Sequence, residues 1–120
     1  MYLYLPTLDG FRLALSATQS MQYNVTQFVG TTAVIPCVDA MGKAYNNPSW
    51  VKSSSRSIVY DASNANIVDS TKYQVWNGSN TLVVMNLQLS DATSYCCVIG
   101  VNDYCANVVV IGMFAAFTFL

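Results

Sequence analysis

The chain has 120 residues, 53% hydrophobic and 9% charged, with a formal net charge of −1 and no histidine. That length gives one domain with a real core and not two, and its five cations, Arg12, Lys43, Lys52, Arg56 and Lys72, are scattered, which excludes the concentrated cationic patch that nucleic acid needs. The missing imidazole removes the commonest general base, the commonest metal ligand and the near-neutral pH switch, and the six carboxylates, all aspartate (Asp9, Asp39, Asp61, Asp69, Asp91, Asp103), make no acid and base pair, so neither an enzyme nor a cofactor is expected.

Residues 1–20 are apolar and read as a leader-like peptide or as an extended N-terminal segment. Against the leader, the start carries no cation, and Pro6 and Asp9 interrupt the apolar run. From residue 21 onward short runs alternate with turn-rich joints at the spacing of an all-β domain. Strands are predicted over 22–28, 33–38, 49–52, 57–60, 72–76, 81–87, 94–99 and 104–111. The 11 residues between Tyr60 and Lys72 leave room for one more short edge strand. Residues 39–48 form a loop rich in Gly, Asn and Tyr, 53–57 close a polar hairpin, and Gly100-Val101-Asn102-Asp103 makes a tight hairpin turn. The apolar run at 108–120, including the tail 113–120, is shorter than the roughly 20 residues a bilayer span takes. It is either a strand leading into a membrane helix that continues outside this chain or a strand that pairs with another molecule; a membrane partner is expected only in the first case.

Four cysteines in a chain of this size argue for an oxidising compartment. Two sequons agree, Asn24-Val25-Thr26 and Asn77-Gly78-Ser79, whereas the proline blocks Asn47-Pro48-Ser49. Secretion or display at a cell surface is the expected location.

Cys37, Trp50, Asp91, Tyr95 and Cys97 stand in a distinctive order, the tryptophan 13 residues and the second cysteine 60 residues after the first. Upstream lies Gly30-x-x-Ala33-x-Ile35-x-Cys37, and downstream Leu82-x-Val84-x-x-Leu87-x-x-x-Asp91-x-x-x-Tyr95-x-Cys97. From about residue 21 to 112 this pattern resembles the immunoglobulin superfamily, and the cysteine separation resembles its variable-type (V-set) domains. The resemblance implies a two-sheet antiparallel Greek-key sandwich with the Cys37 to Cys97 disulfide across its middle and Trp50 packed on it. It further implies a tyrosine corner at Tyr95 and an Asp91 to Lys72 pair closing one end. In the family's lettering the predicted strands are A, B, C, C′, D, E, F and G.

If Cys97 faces the core, alternation turns Cys96 outward on the sheet formed by G, F, C and C′. A hairpin with Gly100 and Val101 at its tip sets Cys96 opposite Cys105, within disulfide reach. An internal second bridge is the preferred reading. The alternatives are free thiols that bond another chain, since a register slip of one residue breaks the pairing, and a metal site, which two thiolates alone would leave short of ligands.

The same outward face is expected to present Val51, Val98 and either Tyr60 or Tyr104, with Tyr45, Asn46, Val101, Asn102 and Asp103 on adjoining loops. Apolar and aromatic residues on such a face suit a protein interface. The Phe-Gly-x-Gly bulge of antigen-receptor variable domains is absent, Val109, Val110, Ile111, Gly112 and Met113 standing there instead. The expected function is an extracellular recognition or adhesion module that binds a protein ligand or a like immunoglobulin domain, including a homodimer. The alternative is a structural subunit that assembles through its apolar ends or exposed strand edges.

Overall fold

Alternation of apolar and polar residues sets the strands, and the computed structural model, which describes residues 22–112, shows which side each residue takes. The readings of 1–20 and of 113–120 lie outside the described residues. In chain order the strands are β1 (Gln22–Phe28), β2 (Ala33–Pro36), β3 (Ser49–Lys52), β4 (Ser57–Asp61), β5 (Asn66–Ile67), β6 (Tyr73–Trp76), β7 (Thr81–Val84), β8 (Ser94–Ile99) and β9 (Asn102–Ile111). One 3-10 turn, Leu89–Asp91, lies between β7 and β8.

The strands form a six-stranded sheet in the order β1-β9-β8-β3-β4-β5 and a three-stranded sheet in the order β2-β7-β6. β1 runs parallel to β9, and every other pairing is antiparallel. This is an immunoglobulin-like sandwich. Period-two burial is clear on β2, where Ala33 and Ile35 are buried while Val34 and Pro36 are exposed. The short β5 lies in the stretch between Tyr60 and Lys72, which has room for an edge strand.

The centre of the sandwich is a buried cluster around Cys37, Trp50, Leu82, Tyr95, Cys97 and Val108. Cys37 and Cys97 are joined across the two sheets with Cα atoms 5.8 Å apart. Trp50 is fully buried, and its Nε1 donates to the Ser79 carbonyl at 2.8 Å, as a buried indole requires. Tyr23 on β1 donates its hydroxyl to the Pro36 carbonyl at 2.7 Å, tying one sheet to the other; burial pushes its phenol up to about 12. At the opposite end from the hairpin tip, Tyr95 donates to the Asp91 carbonyl at 3.1 Å. Asp91 Oδ2 accepts from Lys72 Nζ at 2.5 Å and from the Gln88 backbone N–H at 2.7 Å.

Three strand ends differ from the sequence reading by two residues or more, each for a local reason. β2 stops at Pro36 rather than at residue 38, because its partner β7 begins at Thr81 and the ladder runs out there. β7 stops at Val84 rather than at 87, because Asn86 takes φ +48 and turns the chain. β9 begins at Asn102, two residues early. The hairpin turn uses only Gly100 and Val101, with Ile99 opposite Asn102, and Gly100 at φ +60 supplies the positive φ that tight hairpins demand.

Candidate functional site

The 39–48 loop is built on Asp39. Its Oδ1 accepts from the backbone N–H groups of Met41 and Lys43, both at 2.9 Å, the local turn that aspartate favours. Its Oδ2 accepts from the Tyr45 hydroxyl at 2.9 Å. The Lys43 N–H and the other donors hold the Asp39 carboxyl below its ordinary value. Tyr45 stacks on Tyr104 of β9 with ring centroids 5.2 Å apart and planes 9° from parallel, and Lys43 Nζ lies 5.2 Å from the Tyr45 ring centre. Tyr104, and after it Asp39, push the Tyr45 phenol upward. Asn80 completes the attachment by donating to the carbonyls of Cys37 at 3.1 Å and Tyr45 at 2.7 Å.

The consequence is a loop held against β9 by stacked rings rather than one free to wander. At this end the side chains of Met41 and Val101 stand 90% and 96% exposed. Asn46 and Asn102 are also exposed. Exposed apolar side chains on a rigid support suit contact with another protein.

The outward face of the six-stranded sheet is different. Cys96 and Cys105 are opposed on β8 and β9 and joined, with Cα atoms 4.0 Å apart, so no free cysteine is present. Val51 lies opposite Cys96 on β3. Although all three face outward, Val51, Cys96 and Cys105 are only 7%, 1% and 5% exposed. Arg56, in the turn before β4, donates from Nη1 to Asp103 Oδ2 on β9 at 2.8 Å. That contact spans β3 and β8, so the arginine crosses the face on which the second disulfide sits.

The sequence reading of this face therefore needs correction. Val51 is buried rather than open, and Val98 is half-buried. Tyr60 points into the main core at 7% exposure, because the register shifts between Trp50 and Val51 and buries Val59 and Tyr60 in succession. Tyr104 is opposite the inward Cys97 and packs half-buried on the main core, so it closes the end of the sandwich instead of standing on the outer face. Asn102 and Asp103 belong to β9 rather than to a loop. The sequons stand apart: Asn24 is exposed on β1, and Asn77 is exposed in the β6–β7 turn at φ +53.

Met41, Lys43, Asp39 and Arg56 were not singled out from sequence. The Asp39-x-Met41-Gly42-Lys43 run carried a usable signal, an aspartate turn presenting one apolar residue in a polar loop. Nothing in the sequence marks Arg56 for Asp103, 47 residues away. Among the described residues no three of His, Cys, Asp and Glu come together as a metal-holding group, and no helix is long and apolar enough to cross a membrane.

No protein-family model matches the chain, and no curated protein matches its sequence. Solved structures do match. The CD2-binding domain of CD58 superposes with TM-score 0.60 at 14% identity, over 75% of this chain and 54% of that one, so this chain spans about half the length of that neighbour. The first immunoglobulin domain of Dpr11, solved bound to DIP-gamma, superposes with TM-score 0.57 at 25% identity, over 73% of this chain and 97% of that one. The extracellular domain of the voltage-gated sodium channel beta4 subunit gives TM-score 0.56 at 16% identity, over 82% and 92%. With these neighbours and its own two sheets, the chain has the fold of a V-like immunoglobulin domain.

Proposed function

We propose that the chain is an extracellular recognition and adhesion module that binds another protein, and that it does so through the end of the sandwich where the 39–48 loop meets the β8–β9 turn. The Tyr45 on Tyr104 stack carries this reading. It fixes two chain segments, far apart in sequence, into one support beneath Met41 and Val101. Binding through a fixed support avoids the ordering cost that a mobile loop imposes. The middle of the sheet face is a poorer candidate, since Val51 is buried and Asp103 is engaged by Arg56.

The neighbours favour the same class. One is described as binding CD2, one was solved with DIP-gamma, and one forms homodimers discussed for cell–cell adhesion. Two disulfides suit the oxidising space outside the cell. Protein partners of like fold, including a second copy, are the first to test.

The test presents the full chain as a multimer to a panel of immunoglobulin-domain ectodomains and to itself. The expected result is capture of at least one panel member by the wild type and its loss with Met41→Asp or Val101→Asp, both variants keeping the wild-type melting curve. Binding that survives both changes would remove the loop end from the reading, and a chain that binds no panel member and not itself would remove the module.

A further inference from the structure

The two edges of the six-stranded sheet are not alike. β5 has two residues and is too short to recruit another strand. β1 has seven, Gln22-Tyr23-Asn24-Val25-Thr26-Gln27-Phe28, with no charge and no proline, and it pairs with β9 through seven consecutive positions without a bulge. Among the described residues its other side has no strand neighbour. Charges, prolines, bulges and short length are the usual means of keeping an edge from adding to another copy, and β1 has none of them. Beside it on the outward face stand Phe28, Val109 and Ile111, exposed by 50%, 36% and 39%, with Phe28 next to Ile111 and Thr26 next to Val109. Among the described residues the strip is apolar as well as unpaired.

The centre of this strand holds one of the two sequons. Asn24 and Thr26, two residues apart on a strand, share the outward face, and both are exposed. Asn24 commits its oxygen to Asn107 Nδ2 at 3.4 Å, so the nitrogen that would carry a sugar is left without a partner among the described residues. In the other sequon the hydroxyl is withdrawn from solvent: Ser79 is 3% exposed and donates to the Pro48 carbonyl at 3.0 Å.

We propose that Asn24 carries an N-linked glycan and that this glycan is the guard of the β1 edge against a second copy of the chain. The proposal rests on the extracellular reading, since the sugar is added in the secretory pathway. The geometry explains why a sugar would be effective here. In an antiparallel pairing of two β1 strands about a two-fold axis at Val25, Asn24 falls opposite Thr26 of the second copy. The two Asn24 side chains are then diagonal neighbours, about 7–8 Å apart, on one face. Two branched glycans at that spacing collide over the seam, so the edge pairs only when they are absent.

The test expresses the full chain behind a cleavable leader in a secreting eukaryotic cell. Enzymatic deglycosylation in heavy-oxygen water, followed by peptide mass spectrometry, reads which asparagines were occupied. Occupancy at Asn24 is expected, together with a monomer in sedimentation. Asn24→Gln is expected to double in apparent mass as concentration rises. Asn77→Gln, which changes the turn of the other sheet, should remain monomeric. An added Thr26→Lys in the Asn24→Gln chain should restore the monomer by placing a charge on the edge. An unoccupied Asn24 in secreted protein overturns the proposal while leaving the binding module intact. Occupancy of Asn24 in the wild type with no change in mass in Asn24→Gln overturns the guard.

Discussion

The two disulfides of this domain lie side by side in sequence at Cys96 and Cys97 yet hold different things. Cys97 reaches across the sandwich to Cys37 and joins two sheets, closing a separation of 60 residues. Cys96 reaches to the neighbouring strand and joins two strands already paired in one hairpin, closing a separation of nine. Strand alternation alone sends adjacent cysteines to opposite sides. The difference teaches that one bond sets whether the domain is folded, and the other how stiff its front sheet is.

The largest expected effect comes from Cys37→Ala with Cys97→Ala. In the chain-entropy model a 60-residue loop is worth about 4 kcal/mol, most of the stability of a marginal domain. Urea unfolding should show a midpoint near zero or no cooperative transition at all. The matching change at Cys96 and Cys105 removes a nine-residue loop, worth about 2.6 kcal/mol on the same model. That chain should still unfold cooperatively, with a lowered midpoint. Equal losses for the two pairs would break the comparison.

How far this was legible follows from the same alternation. Cys37, Trp50, Tyr95 and Cys97 could be read because their order and spacing resemble the immunoglobulin pattern, and that resemblance implies that they are buried together. Cys96 opposite Cys105 could be read because a two-residue turn fixes the hairpin register. Tyr60 could not be placed, since the irregularity beside Trp50 is a property of paired strands and has no mark in either one. Tyr104 takes its side from the same alternation: it is opposite the inward Cys97 and one place from the outward Cys105, so it faces the core. The Arg56 to Asp103 pair depends on a side chain reaching across two strands, which no local pattern encodes.

A smaller effect tests that arginine. Arg56 is 59% exposed and Asp103 28%, so the pair contributes under about 1 kcal/mol. Arg56→Gln should therefore barely move the urea midpoint. It should nevertheless raise the rate at which a small phosphine or thiol reduces Cys96 to Cys105, leaving Cys37 to Cys97 unaffected. An unchanged rate would mean that the burial of Cys96 comes from the sheet itself and owes nothing to the Arg56 to Asp103 pair.

Neither sulfur pair reaches the loop after Cys37, and its order hangs on Asp39. Because the carboxyl is held below its ordinary value of 3.8 by its donors, its contribution is present above that value and is lost as pH falls through the lower, folded one. Hydrogen exchange should therefore show the Met41 and Lys43 amides protected from neutral pH down to about 4, then losing protection relative to their intrinsic rates on further acidification. The amides of β8 and β9 should keep theirs over the same range, since sheet bonds and sulfurs do not titrate there. Asp39→Ala should expose the same two amides at neutral pH and abolish the acid step. Protection that persists to about pH 2 in the wild type, below the ordinary carboxylate range, would move the anchor of the loop from the aspartate to the Tyr45 and Tyr104 rings. This end of the sandwich would then owe its rigidity to the stacked rings and to the Asn80 hydrogen bonds.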